Sequence, residues 1–573
     1  MTIWIDDYVK DRRNASEGIG LAIREAVKQE ADLLRFGVGE YQLTEAVTIN
    51  TKSIAHDDGC GDIKEKDCHI LLQNMHGITL CGVEDAKTIL IGYNSGRIGE
   101  LLPSLLWADN CTNLTIKNLC FSRRPETAYS GLVEDVEEDV VRIKLLQGEE
   151  APDELGAYCM NRYDIKERKL LGESLTFGFG YEKRFQRIKE RYYQLRDAEI
   201  ARKVQIGEGL SFHQSGKTDF LLFFGGCDNL KLENIWIQNT NGFAILTENC
   251  RGITGEKVKI APPSTQFFTG PRDGWKIYRC SGKIRINHCH FEGVRMDGQN
   301  VQSNYLTVEE ILDERTLLCR CKYAPLPLRE NSDLYLRKEA LEHRMVITDW
   351  QLVKGRMEEA KQAAEASAGA IVTGSRNHIS LYRIEVAEKL PDEVVEESLL
   401  TAGCWEPEEY ICTNSVFRNI AGAAHLIRCR NVVLQHNLYE NIMCAGIMLG
   451  AELDTHSESD HVADVLIQNN HFRNIGTKPR YGSYGCACIG IKSQGFRGPW
   501  NKRIRIENNL FEDSGRGIEL CDASEVVIKN NLYNNIKEEV FMEEETLMHI
   551  LREDAAVSIQ GKEDKQCLES RSG

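Results

Sequence analysis

DVLIQNNHFRNI, residues 464–475, decides the fold. Apolar and polar residues alternate up to an Asn–Asn pair, an aromatic residue follows, and a polar corner closes the unit. Alternation with period two is a strand signal, and the polar corner is a turn signal. The unit recurs upstream as NLTIKNLCFS (113–122), NLKLENIWIQN (229–239), KIRINHCHFEG (283–293) and NVVLQHNLYENI (431–442). Downstream it returns as RIRIENNLFEDS (503–514) and EVVIKNNLYNNI (525–536). The aromatic residues Phe417, Tyr439, Phe472, Phe511 and Tyr533 are 22, 33, 39 and 22 positions apart. The short spacing is one coil; the longer ones are one coil plus a corner loop. Repeats of this length build solenoids, in which each coil buries its face on the next. The expected fold is therefore all-β, a right-handed parallel β-helix of the pectate-lyase-like kind. Stacked coils would align Asn437, Asn470, Asn509 and Asn531 into an amide ladder.

Working outward, Glu17–Glu30 reads as an amphipathic helix capping the first coil, so residues 1–45 form an N-terminal cap. The β-helix runs over 46–536. Residues 131–210 and 304–355 break the repeat and read as two small β-rich insertions, the first with a long charged helix over 182–203. Residues 537–573 read as a C-terminal helix and tail, with the helix over 538–552.

Of 573 residues, 42% are hydrophobic and 27% charged, and the net charge is −17. That is a globular balance, and its acidity repels phosphate backbones, so nucleic acid is not an expected partner. There is no basic stretch leading into an apolar one at the start and no run of 18 apolar residues. The expectation is a cytoplasmic protein without a membrane partner. The 20 cysteines are scattered, several within strand-like runs, as reduced buried thiols would be, and no paired CxxC motif suggests zinc. A solenoid flank is long enough to bury a second copy, so a homo-oligomer is open.

A β-helix aligns polar side chains from neighbouring coils at fixed spacing, which suits a glycan. Glycosidic bonds are cut by two carboxyl groups, one giving a proton to the leaving oxygen and the other activating water or attacking carbon. Asp273 and Asp297 are 24 residues apart, about one coil, and would occupy equivalent places on adjacent rungs. Each precedes a glycine, so each also fits a turn. A second acidic stretch holds Glu452, Asp454, Glu458 and Asp460. Such acids raise one another's pKa, hold a cation or sit solvated, and the sequence leaves these three open. His456 and His461 lie in the same stretch.

RDGWKIYRCSGKIRINHCHFEGVRMDGQNVQSNYLTV (272–308), ELDTHSESDHVADVLIQNNHF (452–472), WADNCTNLTIKNLCFSRRPETAYSGLV (107–133) and the opening FGVGEYQL resemble segments of glycoside hydrolase family 110, the β-helical α-1,3-galactosidases. The resemblance spans roughly residues 30 to 535. It implies inverting hydrolysis with no organic cofactor, and no metal site is expected. It matches Asp273 to the family's first Asp, Asp297 to the second member of an Asp–Asp pair, and Glu458 to the Glu of a later loop. Met296 stands where the family has the first Asp of that pair, and Gln302 where it has His.

The expected function is an inverting exo-acting glycosidase for an oligosaccharide, α-galactosidase-like, with Asp297, Asp273 and Glu458 catalytic. Trp275, Arg295, Asn300, Gln302 and Asp454 are the expected substrate contacts, with Trp405 and Trp500 further candidates for stacking on sugar. Two alternatives remain at this level. A polysaccharide lyase would use calcium and a base such as Arg295, and a non-catalytic carbohydrate-binding β-helix would account for Met296 and Gln302.

Overall fold

The computed structural model describes residues 1–50, 65–85, 87–146, 151–176, 182–214, 219–322, 326–338, 341–353, 379–453, 457–477, 485–496, 498–543 and 547–554. Its body is a parallel β-helix. A 13-stranded parallel sheet forms one face, and a 22-stranded assembly supplies the other two. Each full coil contributes a strand to every face, as Asp228–Glu233, Trp236–Ile237 and Phe243–Glu248 do.

The repeat residues perform the stacking. Phe291, Phe417, Tyr439, Phe472, Phe511 and Tyr533 form one column of stacked rings, with centroids 4.7 to 5.2 Å apart. Offset stacking of aromatics adds to the burial of their surface. At the adjoining corner the amide ladder is formed. The backbone N–H groups of Asn437, Asn470 and Asn509 each donate to the side-chain Oδ1 of the next rung at 2.9 Å. The side-chain amides of Asn470 and Asn509 donate to that same oxygen, and each also reaches a carbonyl of the preceding coil. The last rung among the described residues is Asp554, which accepts from the backbone and side chain of Asn531. His436, Asn469, Asn508 and Asn530, just before the ladder residues, adopt φ between 55° and 56°. Asn tolerates this left-handed conformation better than most residues, so the Asn–Asn pair both turns the chain and satisfies the buried corner.

The helix α1 (Ser16–Lys28) covers the first coil, with Ile19, Ala22 and Ala26 in the same core as Leu34 and Leu80. The first insertion is an eight-stranded antiparallel sheet over Ala128–His213. The expected long helix over 182–203 is overturned: Arg184–Lys189 and Tyr192–Arg196 are paired strands, and only Ala198–Lys203 is helical, capped by Asp197. Phe185, Tyr193 and Leu195 point into that insertion's core. Charges on the outer face of a strand were read as a helix surface. The second insertion is a closed six-stranded barrel that begins at Leu306 and ends at Ala402, well beyond the expected limit at 355. Ile379–Val386 and Leu399–Ala402 are needed to close it. The expected C-terminal helix is also overturned. Leu532–Met542 and Leu547–Glu553 are strands that add a final coil. All described cysteines are free thiols, buried apart from the half-buried Cys486. Among the described residues no helix is long and apolar enough to cross a membrane.

Replacing Asn470 with Ala removes a rung and leaves the Asn437 N–H without its acceptor in a buried corner. The expected loss of stability is about 2–3 kcal/mol, the cost of buried unsatisfied backbone groups, measured by chemical denaturation.

Candidate active site

Five strands position the site: β1 (Phe243–Glu248), β2 (Trp275–Tyr278), β3 (Gln299–Asn304), β4 (His425–Ile427) and β5 (Glu458–Ser459). The first four are consecutive rungs of one parallel ladder, in which Leu246, Lys276, Asn300 and Leu426 stand opposite one another. The next row inward, Ile245, Trp275, Gln299 and His425, lies inside the solenoid. Asp273 and Asp297 occupy the corner just before β2 and β3. The N–H of Gly274 donates to the carbonyl of Asp297, and the N–H of Gly298 to that of Ala423. The two acids are therefore register-equivalent on adjacent coils, and Ala423 follows on the next. The glycine after each acid is forced by packing: a Cβ on Gly274 would stand 2.5 Å from the Gly298 carbonyl oxygen, and one on Gly298 2.7 Å from that of Ala424.

Asp273 is 3% exposed and Asp297 2%, so their electrostatics are those of a protein interior. The Asn300 side-chain amide bridges them, 3.3 Å from an oxygen of each. The Ala423 N–H donates to the other Asp297 oxygen at 3.1 Å. Burial first, and then the charge of Asp273, push the Asp297 carboxyl well above the ordinary carboxylate range; the Ala423 N–H and Lys276 pull it down, and Glu458 pushes it up.

Glu458 reaches this cluster because its loop folds back. Strand β5 pairs antiparallel with the end of β3, Asn304 opposite Glu458 and Ser303 opposite Ser459. Arg428, one residue beyond β4, forms a buried ion pair with Glu458. The barrel holds both ends of this arrangement. Arg279 donates to Asn304 Oδ1 and to the Lys322 carbonyl, while Asn304 donates to the Ser457 carbonyl at 3.2 Å. Arg337 of the barrel binds Asp460 and Glu406 at 2.5 and 2.9 Å. Burial raises the Asp460 carboxyl, but Arg337, Arg430 and the backbone N–H of His461 outweigh it and hold it below the usual range.

The two insertions are walls. The barrel shares one apolar cluster with Trp107, Phe223, Leu246 and Tyr278, covering the coils before the acids. The first insertion faces Arg295, whose charge acts on the buried Cys159, Tyr163 and His213. Burial, and then Arg295, bring His213 down to about 3, so its imidazole is neutral. On the later coils Ala423, Leu426, Ala445 and Met448 form a small apolar patch.

Of the expected site residues, Asp273, Asp297, Asn300 and Glu458 come together, and Gln302, two positions beyond Asn300 on β3, joins their face. Gln302 is 3% exposed, and neither atom of its amide group has a hydrogen-bond partner among the described residues. Arg295 lies on the side of the first insertion. Trp275 is a correction: it is fully buried inside the solenoid, its indole N–H on Thr247 Oγ1 at 3.3 Å, and it cannot stack on a sugar. Lys276, the next residue of the strand, stands in the outer row with Leu246 and Asn300. Trp405 is likewise buried, in the barrel cluster. The solvated reading of the acidic stretch is overturned at Glu452, Glu458 and Asp460, which are all buried. Asp454 and His456 lie outside the described residues. Lys276, Arg428 and His213 were missed. The first two are rung positions that the register of the repeat could have identified; nothing in the sequence ties His213, at the end of an insertion strand, to this face.

No family model matches the chain. It is 23% identical to alpha-1,3-galactosidase A of Bacteroides thetaiotaomicron over 561 residues, 91% of this chain and 90% of that protein. It is 23% identical over 341 residues to alpha-1,3-galactosidase B of Phocaeicola vulgatus, a match that takes in 54% of this chain and spans about half, 52%, of that relative. Among solved structures, a hyperthermoactive exopolygalacturonase from Thermotoga maritima superposes with a TM-score of 0.40 at 12% identity, covering 96% of this chain and 92% of that one. The coils build a right-handed parallel β-helix, and along most of its length the chain is similar to alpha-1,3-galactosidases.

Proposed function

We propose that this chain is an inverting, exo-acting glycoside hydrolase that releases a terminal α-linked galactose from an oligosaccharide. The observation that carries the reading is the buried pair Asp273 and Asp297, equivalent on adjacent coils and bridged by Asn300, with Glu458 brought to the same cluster by a loop that folds back. The similarity to alpha-1,3-galactosidases supports the choice of sugar and linkage class.

Hydrolysis needs a proton on the leaving oxygen and a water at the anomeric carbon. A carboxyl whose pKa is raised by burial and a neighbouring acid stays protonated near neutral pH and is a proton donor. Asp297 takes that role. Asp273 shares the Asn300 amide with Asp297, and its charge tunes the donor. Glu458 is the base. As the glycosidic C–O bond breaks, its electrons go to the leaving oxygen, which takes the Asp297 proton. Water bonds to the anomeric carbon from the opposite face and gives a proton to Glu458. Solvent then returns that proton to Asp297. Gln302 offers one donor and one acceptor to sugar hydroxyls. Met296 carries no proton, and this assignment asks none of it.

The Asp297→Asn protein should fold normally and release sugar about 10²–10⁴-fold more slowly, the usual contribution of one acid–base group. Proton NMR of the released sugar from α-galactosyl oligosaccharides checks the rate and should show the inverted anomer first. Full activity in this variant would remove Asp297 from the mechanism.

The donor's pKa sets the alkaline limb of kcat/KM. The Asp273 charge raises that pKa, so neutralising it must lower it. The residual activity of Asp273→Asn should therefore show an alkaline limb displaced to lower pH, measured as a pH–rate profile.

A further inference from the structure

A second cavity, of about 280 Å³, opens at the seam between the barrel and two corner loops of the β-helix. Tyr305, His461, Phe496 and Trp500 supply ring surface, with Leu453 beside them. The His461 and Trp500 rings stack at 4.9 Å and 17°, and Phe496 meets His461 edge-on at 4.3 Å. Phe496 and Trp500 are half-buried, so part of each ring is presented outward. Arg337, Lys338, Glu396 and Glu397 make a rim of balanced charge.

The polar atoms beneath the rings are fixed. The Tyr305 hydroxyl donates to Asp460 Oδ1 at 3.2 Å, and His461 Nδ1 lies 3.1 Å from Ser493 Oγ. His461 is 7% exposed, and its Nε2 has no hydrogen-bond partner among the described residues. Burial lowers this imidazole to about 4, so it is neutral and Nε2 can give or accept one hydrogen bond. The cavity is tied to the acids through one loop. Glu458 and His461 are three residues apart on it, and Leu453 lies on its other arm.

We propose that this cavity is a second carbohydrate subsite, holding a sugar unit on the reducing side of the cleaved bond. Phe496 and Trp500 are its platform, and Lys338, Glu396 and Glu397 its polar edge. A pyranose has an apolar C–H face and a perimeter of hydroxyls, which matches an aromatic floor with a polar edge. The balanced rim favours a neutral ligand over an ion. The sugar assignment rests on the hydrolase reading, but the test reads binding rather than turnover.

The full chain carrying Asp297→Asn is titrated with a trisaccharide, α-1,3-galactosyl lactose, and followed by saturation-transfer NMR. Saturation should reach the reducing-end units as well as the terminal galactose. Adding Trp500→Ala should remove the reducing-end signal and weaken affinity about tenfold, the equivalent of ~1.4 kcal/mol. Val395→Trp, at a lining position that is 51% exposed, should do the same by filling the cavity and does not depend on the fold tolerating loss of Trp500. Saturation confined to the terminal galactose, or unchanged affinity in both variants, overturns the subsite. If the wild-type chain hydrolyses the trisaccharide while both variants bind it unchanged, the subsite fails and the hydrolase stands. If the trisaccharide binds in the cavity but the wild type never cleaves it, the hydrolase fails and the subsite stands.

Discussion

Every other feature depends on the in-register parallel pairing of one coil with the next. Parallel strands a few ångströms apart force each side chain onto its counterpart in the neighbouring coil. That constraint explains why the aromatic residues stack in a column and why one Asn recurs at one corner. It also places two acids side by side that are 24 residues apart in the chain. Asp273 and Asp297 need no dedicated support to meet, because the spacing of the coils brings them together and the glycines after them keep the corner tight.

The repulsion created by that meeting is the site's chemical asset. Two buried carboxyls sharing one amide cannot both ionise easily, and the burden falls on Asp297. The insertions make the arrangement usable. One wall brings the neutral His213 and Cys159 towards Arg295, the other closes the earlier coils, and the barrel also grips the loop that delivers Glu458. The solenoid sets the spacing of the acids, and the inserted domains set their surroundings.

This division explains what could be read in the sequence. The solenoid was legible because stacking demands the same residue type at the same place in each coil, as at Asn437, Asn470, Asn509 and Asn531. The capping helix was legible from its amphipathic period. The insertion strands around Phe185 and Tyr193 were not, because a charged outer face looks the same on a strand as on a helix. The tail failed for the same reason, with Lys537, Glu538 and Glu539 on strand surface. At the site, the pairing of Asp273 with Asp297 followed from coil length. Trp275 was misplaced because a tryptophan suits a solenoid core as well as a sugar face, and residue type alone does not separate the two. The ion pair of Glu458 with Arg428 joins a loop to a rung of another coil, a contact that no local pattern encodes.

The amide ladder is also an electrical object. From Asn470 to Asn509 to Asn531 each side-chain amide turns its oxygen to the preceding rung and one N–H to the next, so the amide dipoles add rather than cancel. Their positive end is met by the carboxylate of Asp554, which can receive the last hydrogen bonds but has none to pass on. The final corner thus works like an acid placed at the start of a helix, where a negative group answers aligned backbone dipoles. An amide in that place would have a hydrogen bond to pass on; the carboxylate takes those of Asn531 and gives none.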